Sequence, residues 1–335
     1  MRWTSLLIPL AMLSAPSFAE DADLGIALLE AEVARLAENA RGVVGVGALH
    51  LESGQSLYLN ADETFPMAST FKVPMAVKML SLVDKGERSL DENYIITGEE
   101  LLPTHSAMSE HLLPGSALTL ENLIALMLQY SDNVATDIVL DMAGGAQAVT
   151  GMMRDLNFDI RVHRPTSVLI MHSVGRTDVS EDALMSKREY EEALDQDFDL
   201  ADLEALAKSL DSDPRDTATP RAMTQLLAGI WRRELLSEAS SKLLIDIMYG
   251  TKTGRGRLKG MLPPGTQVSH KTGTIGMTTN DVGIIDLPHG AGHLAVTVFI
   301  KSSRIPDYAD REPVIAQIAR ALHDYFMFEY GRPWK

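Results

Sequence analysis

The chain has 335 residues, a formal charge of −16 and no cysteine. A chain this long can bury a full core, and without cysteine it has neither disulfides nor a lipid-attached cysteine at its start. The acidic balance argues against nucleic acid and anionic membranes as partners. It leaves a small-molecule cleft open, because local cations dominate there.

Met1 and Arg2 make a short positive start, residues 3–13 are apolar, and Ser17-Phe18-Ala19 is a small-x-small cleavage pattern. The apolar run is too short for a permanent span, and no later stretch is a better candidate. The expectation is a leader over residues 1–19 and an exported chain, periplasmic or secreted, that begins at Glu20. Helical spacing covers 21–40, and strands are expected at 43–51 and 55–59 around the turn Glu52-Ser53-Gly54. A helix opens at Ser69 and runs to 83. Thr119 caps another to 130, and 132–142 continues helically to Gly144-Gly145. Thr219-Pro220, a cap followed by proline at the first helical position, starts a helix to 232, and 237–248 is helical. Strands at 266–273, 281–287 and 293–301 precede a last helix at 311–330.

Strands at both ends with helices between them predict an α/β fold of the α+β type. Its antiparallel five-stranded sheet is built from both chain ends, flanked by helices, with an inserted all-helical lobe. The sheet lobe is expected over 20–65 and 214–335 and the helical lobe over 66–213, with an acidic insertion at about 160–212. Within that insertion, 178–213 is strongly acidic, with weakly amphipathic pieces around Tyr190 and Leu203. It reads as a solvated excursion or as a lid.

Three short strings carry chemistry: Ser69-Thr70-Phe71-Lys72, Ser131-Asp132-Asn133 and Lys271-Thr272-Gly273. S-x-x-K alone is expected about once by chance in such a chain; the ordered set is far rarer. A serine hydroxyl needs a base to take its proton. Ser69 and Lys72 share a helix face, so Lys72 can serve if its surroundings keep it partly neutral. The helix start brings backbone N–H groups toward a developing oxyanion. Ser131 can relay a proton to a leaving nitrogen, and Asn133 can hold a substrate amide. K-T-G occurs twice. Lys252-Thr253-Gly254 lies in Gly- and Arg-rich sequence, whereas Lys271-Thr272-Gly273 follows an alternating strand. Only a strand edge offers backbone groups for β-type pairing, so the second copy is preferred. Lys271 and Thr272 would bind a carboxylate, and the N–H of Thr274 would be the second oxyanion donor. His105 and His111 precede the S-D-N element and would reach at most the cleft mouth. No spacing suggests a metal site, and no cofactor is expected.

From about Gly45 onward the chain resembles class A β-lactamases and their close penicillin-recognising serine-hydrolase relatives. The resemblance extends to Val134-Ala135-Thr136-Asp137 after S-D-N, and to Arg215-Asp216-Thr217-Ala218-Thr219-Pro220. It also takes in Thr253-Gly254-Arg255-Gly256-Arg257-Leu258 and Thr278-Thr279-Asn280-Asp281-Val282. It implies a catalytic domain over 20–335 with Ser69 as acylated nucleophile, Lys72 as base, Ser131 as proton shuttle and Asn133 as amide ligand. Lys271 and Thr272, with Gly273 and Thr274 alongside, would be the substrate-binding strand, and Arg257 falls where the family places an arginine near the carboxylate. The implied reaction is opening of the β-lactam amide through an acyl-enzyme, by a monomer acting on a small molecule. The alternatives are a D-Ala-type peptidase, transpeptidase or esterase, and a slow-turnover penicillin-binding protein.

One departure bears on turnover. The family carries a glutamate in an E-x-x-L-N segment before R-D-T, which activates the deacylating water. Counting back ungapped from Arg215 puts Leu203 at the glutamate, Leu206 at the leucine and Ala207 at the asparagine, with Glu204 one residue off. The loop is also about 35 residues longer than usual. Glu204 is then the first candidate for a deacylation base, with Lys72 or another acidic residue of the inserted stretch remaining behind it, and turnover should suffer more than acylation.

Overall fold

The computed structural model describes residues 18–180, 184–195 and 200–331, with the backbone alone over 18–23 and 200–204. The expected leader thus lies almost wholly outside the described residues, as does the side chain of Glu204. In chain order, α1 (Phe18–Ala37) leads to β1 (Val43–His50) and β2 (Ser56–Leu59). β3 (Phe65–Pro66) delivers a 3-10 turn, Ala68–Phe71, that passes directly into α2 (Lys72–Asp84). β4 (Asn93–Ile95) and β5 (Ala117–Thr119) pair as a ribbon around the short α3 (Ala107–His111). α4 (Leu120–Ala125) follows, then α5 (Asn133–Met142), α6 (Gly145–Asp155), α7 (Thr166–Ser173), α8 (Lys187–Leu194) and α9 (Leu200–Ser212). β6 (Thr217–Ala218) pairs with β3 and leads into α10 (Pro220–Trp231) and α11 (Glu238–Tyr249). The chain ends with β7 (Val268–Ile275), β8 (Thr278–Leu287), β9 (Gly292–Lys301) and α12 (Tyr308–Tyr330).

The five-stranded sheet has the order β2-β1-β9-β8-β7, and every pairing is antiparallel, as expected. β1 and β9 are buried along nearly their whole length rather than alternately, because both sheet faces are covered. One face packs Val46, Val298 and Ile300 against Val33 of α1 and Ile315, Leu322 and Phe326 of α12. The other packs Phe299 and Ile284 into a larger core with the inserted helices, where α2 contributes Met75, Met79 and Leu80.

Two expectations need adjusting. The helix expected over 119–130 is divided, because α4 loosens into a π turn over Leu126–Tyr130 that ends on Ser131 at φ +58°. The acidic stretch does form two helices, α8 and α9, but α6 and α7 carried no helix signal. α7, Thr166-Ser-Val-Leu-Ile-Met-His-Ser, is short and mostly buried, with its polar residues at the two ends, so it has no amphipathic stripe to detect.

Candidate active site

β7 is an edge strand, and the 3-10 turn before α2 packs against it and against β8. The approach is close. A Cβ on Gly273 would stand 2.5 Å from the Met67 carbonyl oxygen and 3.0 Å from the Ser69 backbone nitrogen, so only glycine fits there. Beside this contact a cleft of about 660 Å³ opens, with Ser69, Ser131, Asn133, Thr272 and Thr274 on its walls. Lys72 and Lys271 lie under it, both fully buried.

Ser69 is half-buried on the 3-10 turn, directly after Ala68, which has φ +46°. Ala68 and Ser131 are non-glycine residues in the left-handed region, and each such residue costs about 1 kcal/mol or more. Both sit next to, or at, a reactive hydroxyl, and the packed surroundings hold them there.

Lys72 Nζ donates to the Ser131 carbonyl oxygen at 2.8 Å, to Asn133 Oδ1 at 2.9 Å and to Ser131 Oγ at 3.3 Å. Lys271 Nζ donates to the same Ser131 Oγ at 3.0 Å and to the Thr272 carbonyl oxygen at 2.8 Å. The Ser131 hydroxyl therefore accepts from two lysines, which leaves its own proton for a third partner in the cleft. Burial pushes Lys72 down to about 7, against the opposing pull of Asp132 and Asp137. Lys271 is held well below the usual lysine range, by burial first and by repulsion from Lys72 second, with Asp281 opposing.

Asn133 Nδ2 donates to Thr104 Oγ1 at 3.2 Å, and its backbone N–H donates to the His105 carbonyl oxygen at 3.0 Å. Asp132 is structural. Its carboxylate caps α5 through Ala135 N–H and ties down the 106–108 segment through Ser106 Oγ and Met108 N–H. His105 reaches the cleft; His111 lines a separate cavity.

The two K-T-G copies meet in space, which their separation in sequence conceals. Thr253 and Thr272 hydroxyls are 2.6 Å apart, and Gly254, at φ +67°, has no room for a Cβ beside the Thr272 methyl. The first copy thus buttresses the second. Arg257 lines the cleft with its donors largely engaged. Nε donates to Glu312 at 2.9 Å, Nη1 donates to the Gly273 and Asn280 carbonyl oxygens, and Nη2 donates to Thr274 Oγ1 at 2.6 Å. It braces β7 and is charge-paired with Glu312.

The ungapped count pointed to the segment around Leu203, but one wall of the cleft comes from elsewhere in the chain. It is formed by α7, through Thr166, Leu169 and Ile170, some forty residues before the segment around Leu203. Thr166-x-x-Leu169-Ile170 has a leucine at the spacing of the E-x-x-L-N pattern, without its glutamate or asparagine. The base of the insertion is closed by Arg164, which is buried. Its Nε donates to Asp216 at 2.6 Å, and its Nη1 lies 3.0 Å from Asp213 and 3.1 Å from His172 Nδ1. Asp216 is the aspartate of R-D-T, and it also accepts from His163 N–H. Asp137, one turn along α5 from Asn133, accepts the N–H groups of Thr166 at 2.6 Å and Ser167 at 3.0 Å. Among the described residues α7 brings no carboxylate to the cleft. No group of three or more potential metal ligands occurs among them, and none of their helices is long and apolar enough to cross a membrane.

This sheet, with a serine, two buried lysines and an S-D-N turn around one edge, defines an acyl-transferring serine hydrolase. The model of the β-lactamase enzyme family matches residues 28–326, and the chain belongs to that family, as a class A-like member. It is 32% identical to β-lactamase VEB-1 of Pseudomonas aeruginosa over 87% of each chain. It is 29% identical to the carbapenem-hydrolysing β-lactamase KPC of Klebsiella oxytoca over 94% of each. Among solved structures, a β-lactamase from Chitinophaga pinensis superposes with a TM-score of 0.72 at 34% identity, covering 89% of this chain and 98% of that one. An ancestral class A β-lactamase gives 0.71 at 30%, covering 88% and 99%.

Proposed function

We propose that the protein opens β-lactam amides by acylating Ser69. Neutral Lys72 takes the Ser69 proton, and the Ser69 oxygen attacks the lactam carbonyl. The backbone N–H groups of Ser69 and Thr274 receive the oxyanion. The proton then passes from Lys72 through Ser131 to the leaving nitrogen. Asn133 holds the acyl-side amide, and Lys271 with Thr272 holds the carboxylate. Arg257 supports this strand from below and adds positive potential. The observation that carries the reading is the hydroxyl of Ser131, bridged between two buried lysines in the cleft that Ser69 also lines. The test is labelling by a fluorescent penicillin followed by intact-mass spectrometry. Labelling is expected on the parent and lost in Ser69→Ala; an undiminished adduct on the variant refutes the assignment.

A slow-turnover reading is favoured over rapid hydrolysis by one observation, the Thr166 and Ile170 side chains on the cleft wall where a water-activating pair is needed. General-base help is typically worth about 10²–10⁴-fold. A chromogenic cephalosporin therefore gives a burst of one equivalent followed by a slow steady state. Linear turnover from the first equivalent refutes this part. The protein works after export, cleaved near Ala19; a mass of the exported protein that retains the first 19 residues contradicts it.

A further inference from the structure

We propose that α9, at the end of the acidic stretch, is a clamp on the cleft where the acyl side chain of the substrate lies, and that it makes the site selective for compact, unbranched acyl side chains. The inference rests on the acyl-enzyme reading above and adds to it a specificity element outside the three motifs. Direction along the cleft follows from β7. In that reading Thr272 is at the carboxylate and the Thr274 N–H at the reacting carbonyl, and each strand residue advances about 3.3 Å. Ile275 comes next on β7 and lines the cleft, so it stands beyond the carbonyl, on the side away from the carboxylate. Ile170 and Ser173 line the same cleft from α7.

Both walls end on a glycine, and α9 covers the two glycines with consecutive residues. α7 ends at Ser173, and the chain turns at Gly175, where a Cβ would meet the Leu206 side chain at 3.2 Å. β7 ends at Ile275, and the chain turns at Gly276, where a Cβ would meet the Ala207 Cβ at 3.1 Å. Leu206 and Ala207 thus bear on both walls at once. One turn further along α9, Asp211 fastens the contact. Its Oδ1 accepts from Thr278 Oγ1 at 3.0 Å, and its Oδ2 accepts from the Ser302 N–H at 2.6 Å. Thr278 begins β8 opposite Ile275, and Ser302 follows the last residue of β9. A single carboxylate therefore ties α9 to the hairpin tip and to the neighbouring strand. Arg311 of α12 holds the same tip, donating to the Gly276 carbonyl oxygen and to Thr279 Oγ1, each at 3.2 Å. Arg164, just before α7, pairs with Asp213, just past α9, so the two helices are joined at that end as well. For the walls to part, α9 must give up the Asp211 bonds, and hydrogen bonds to a carboxylate are the strong kind. An acyl side chain branched at the atom next to the amide carbonyl is widest at the level of Ile275. An unbranched one carries its bulk further out, where the walls have ended.

The experiment measures acylation of the whole exported protein by stopped-flow with two cephalosporins that share one leaving-group substituent. One carries a phenylacetyl side chain, the other an arylacetyl side chain branched by an alkoxyimino group next to the amide carbonyl. The parent is expected to favour the unbranched substrate by at least about tenfold in acylation rate over half-saturating concentration, a difference of the size that pocket fit supplies. Asp211→Ala should reduce that preference by at least about fivefold, mainly by lowering the half-saturating concentration of the branched substrate. Thr278→Val removes the bond from the hairpin side alone and should move the preference in the same direction. General damage to the fold slows both substrates alike and leaves their ratio in place, so an unmoved ratio in both variants overturns the inference. A parent that accepts the two substrates equally also overturns it, and leaves acylation standing. A parent acylated by neither strikes at the acyl-enzyme reading itself, and this inference falls with it.

Discussion

Lys72→Met should make the protein more stable, and by an amount that depends on pH in a set direction. Lys72 ionises near 7 in the folded chain and near 10.5 when unfolded. A depressed lysine means that the unfolded state holds more protons between these values, so folding gains as pH rises through that window. The cost of keeping Lys72 buried is nearly complete below pH 7, amounts to about 4 kcal/mol at pH 7, and falls to about 2 kcal/mol at pH 9. Methionine is of similar length and carries no charge. It forfeits the hydrogen bonds to Ser131 and Asn133, worth about 1 kcal/mol each, but that loss is the same at both pH values. Urea unfolding of parent and variant at pH 7 and 9 isolates the charge contribution. The variant's advantage should shrink by about 2 kcal/mol from pH 7 to pH 9. Relief of the repulsion on Lys271 adds in the same direction. An advantage that does not change with pH refutes a depressed Lys72, and with it the base assignment.

Other outcomes follow from single contacts. Glu312→Gln cancels the partner of Arg257 while leaving its other donors in place, so KM for a carboxylate-bearing lactam should drop severalfold while a neutral ester analogue is unaffected. Equal KM changes on both substrates remove Arg257 from substrate electrostatics. Gly273→Ala forces a methyl against the Met67 carbonyl and should cost about 1–3 kcal/mol and most of the acylation rate; a normal burst in that variant disproves the close approach. Arg164→Ala unpins the acidic insertion from Asp213 and Asp216, so limited proteolysis should cut between 174 and 212 with the sheet intact. Unchanged protease resistance shows that the insertion is held by other contacts.

What could be read in advance divides by the range of the signal. Strands β1 and β2 announce themselves by the turn between them and β7 by local alternation, and the three motifs by local spacing. The sheet therefore emerged from the chain as a string. The roles of Arg257 and Thr253 did not, since each is decided by a partner far along the chain, Glu312 and Thr272 respectively. The α7 wall was missed for two reasons. It is short, buried on nearly all sides and without an amphipathic stripe, and it carries no glutamate to mark it, so an ungapped count from Arg215 ran to Leu203. Thr166-x-x-Leu169, one proline after Arg164, was the available signal. Only the Arg164–Asp216 pair, 52 positions apart, makes it compelling. The π turn before Ser131 left no mark on a pattern of helical spacing.

The pairing of β1 with β9 sets an order of events during synthesis. His50 and Ala291, bonded in the finished structure, are 241 positions apart in the chain. When β1 leaves the ribosome its neighbour on one side does not yet exist, and β2 alone makes only a two-stranded hairpin, which is marginal in water. Closing so long a loop also carries an entropy cost that no local contact offsets until the final helices are made. The sheet therefore cannot assemble on a growing chain. The polypeptide remains threadable until its last residues emerge, and a nascent chain stalled before Gly292 would have no central strand to fold around.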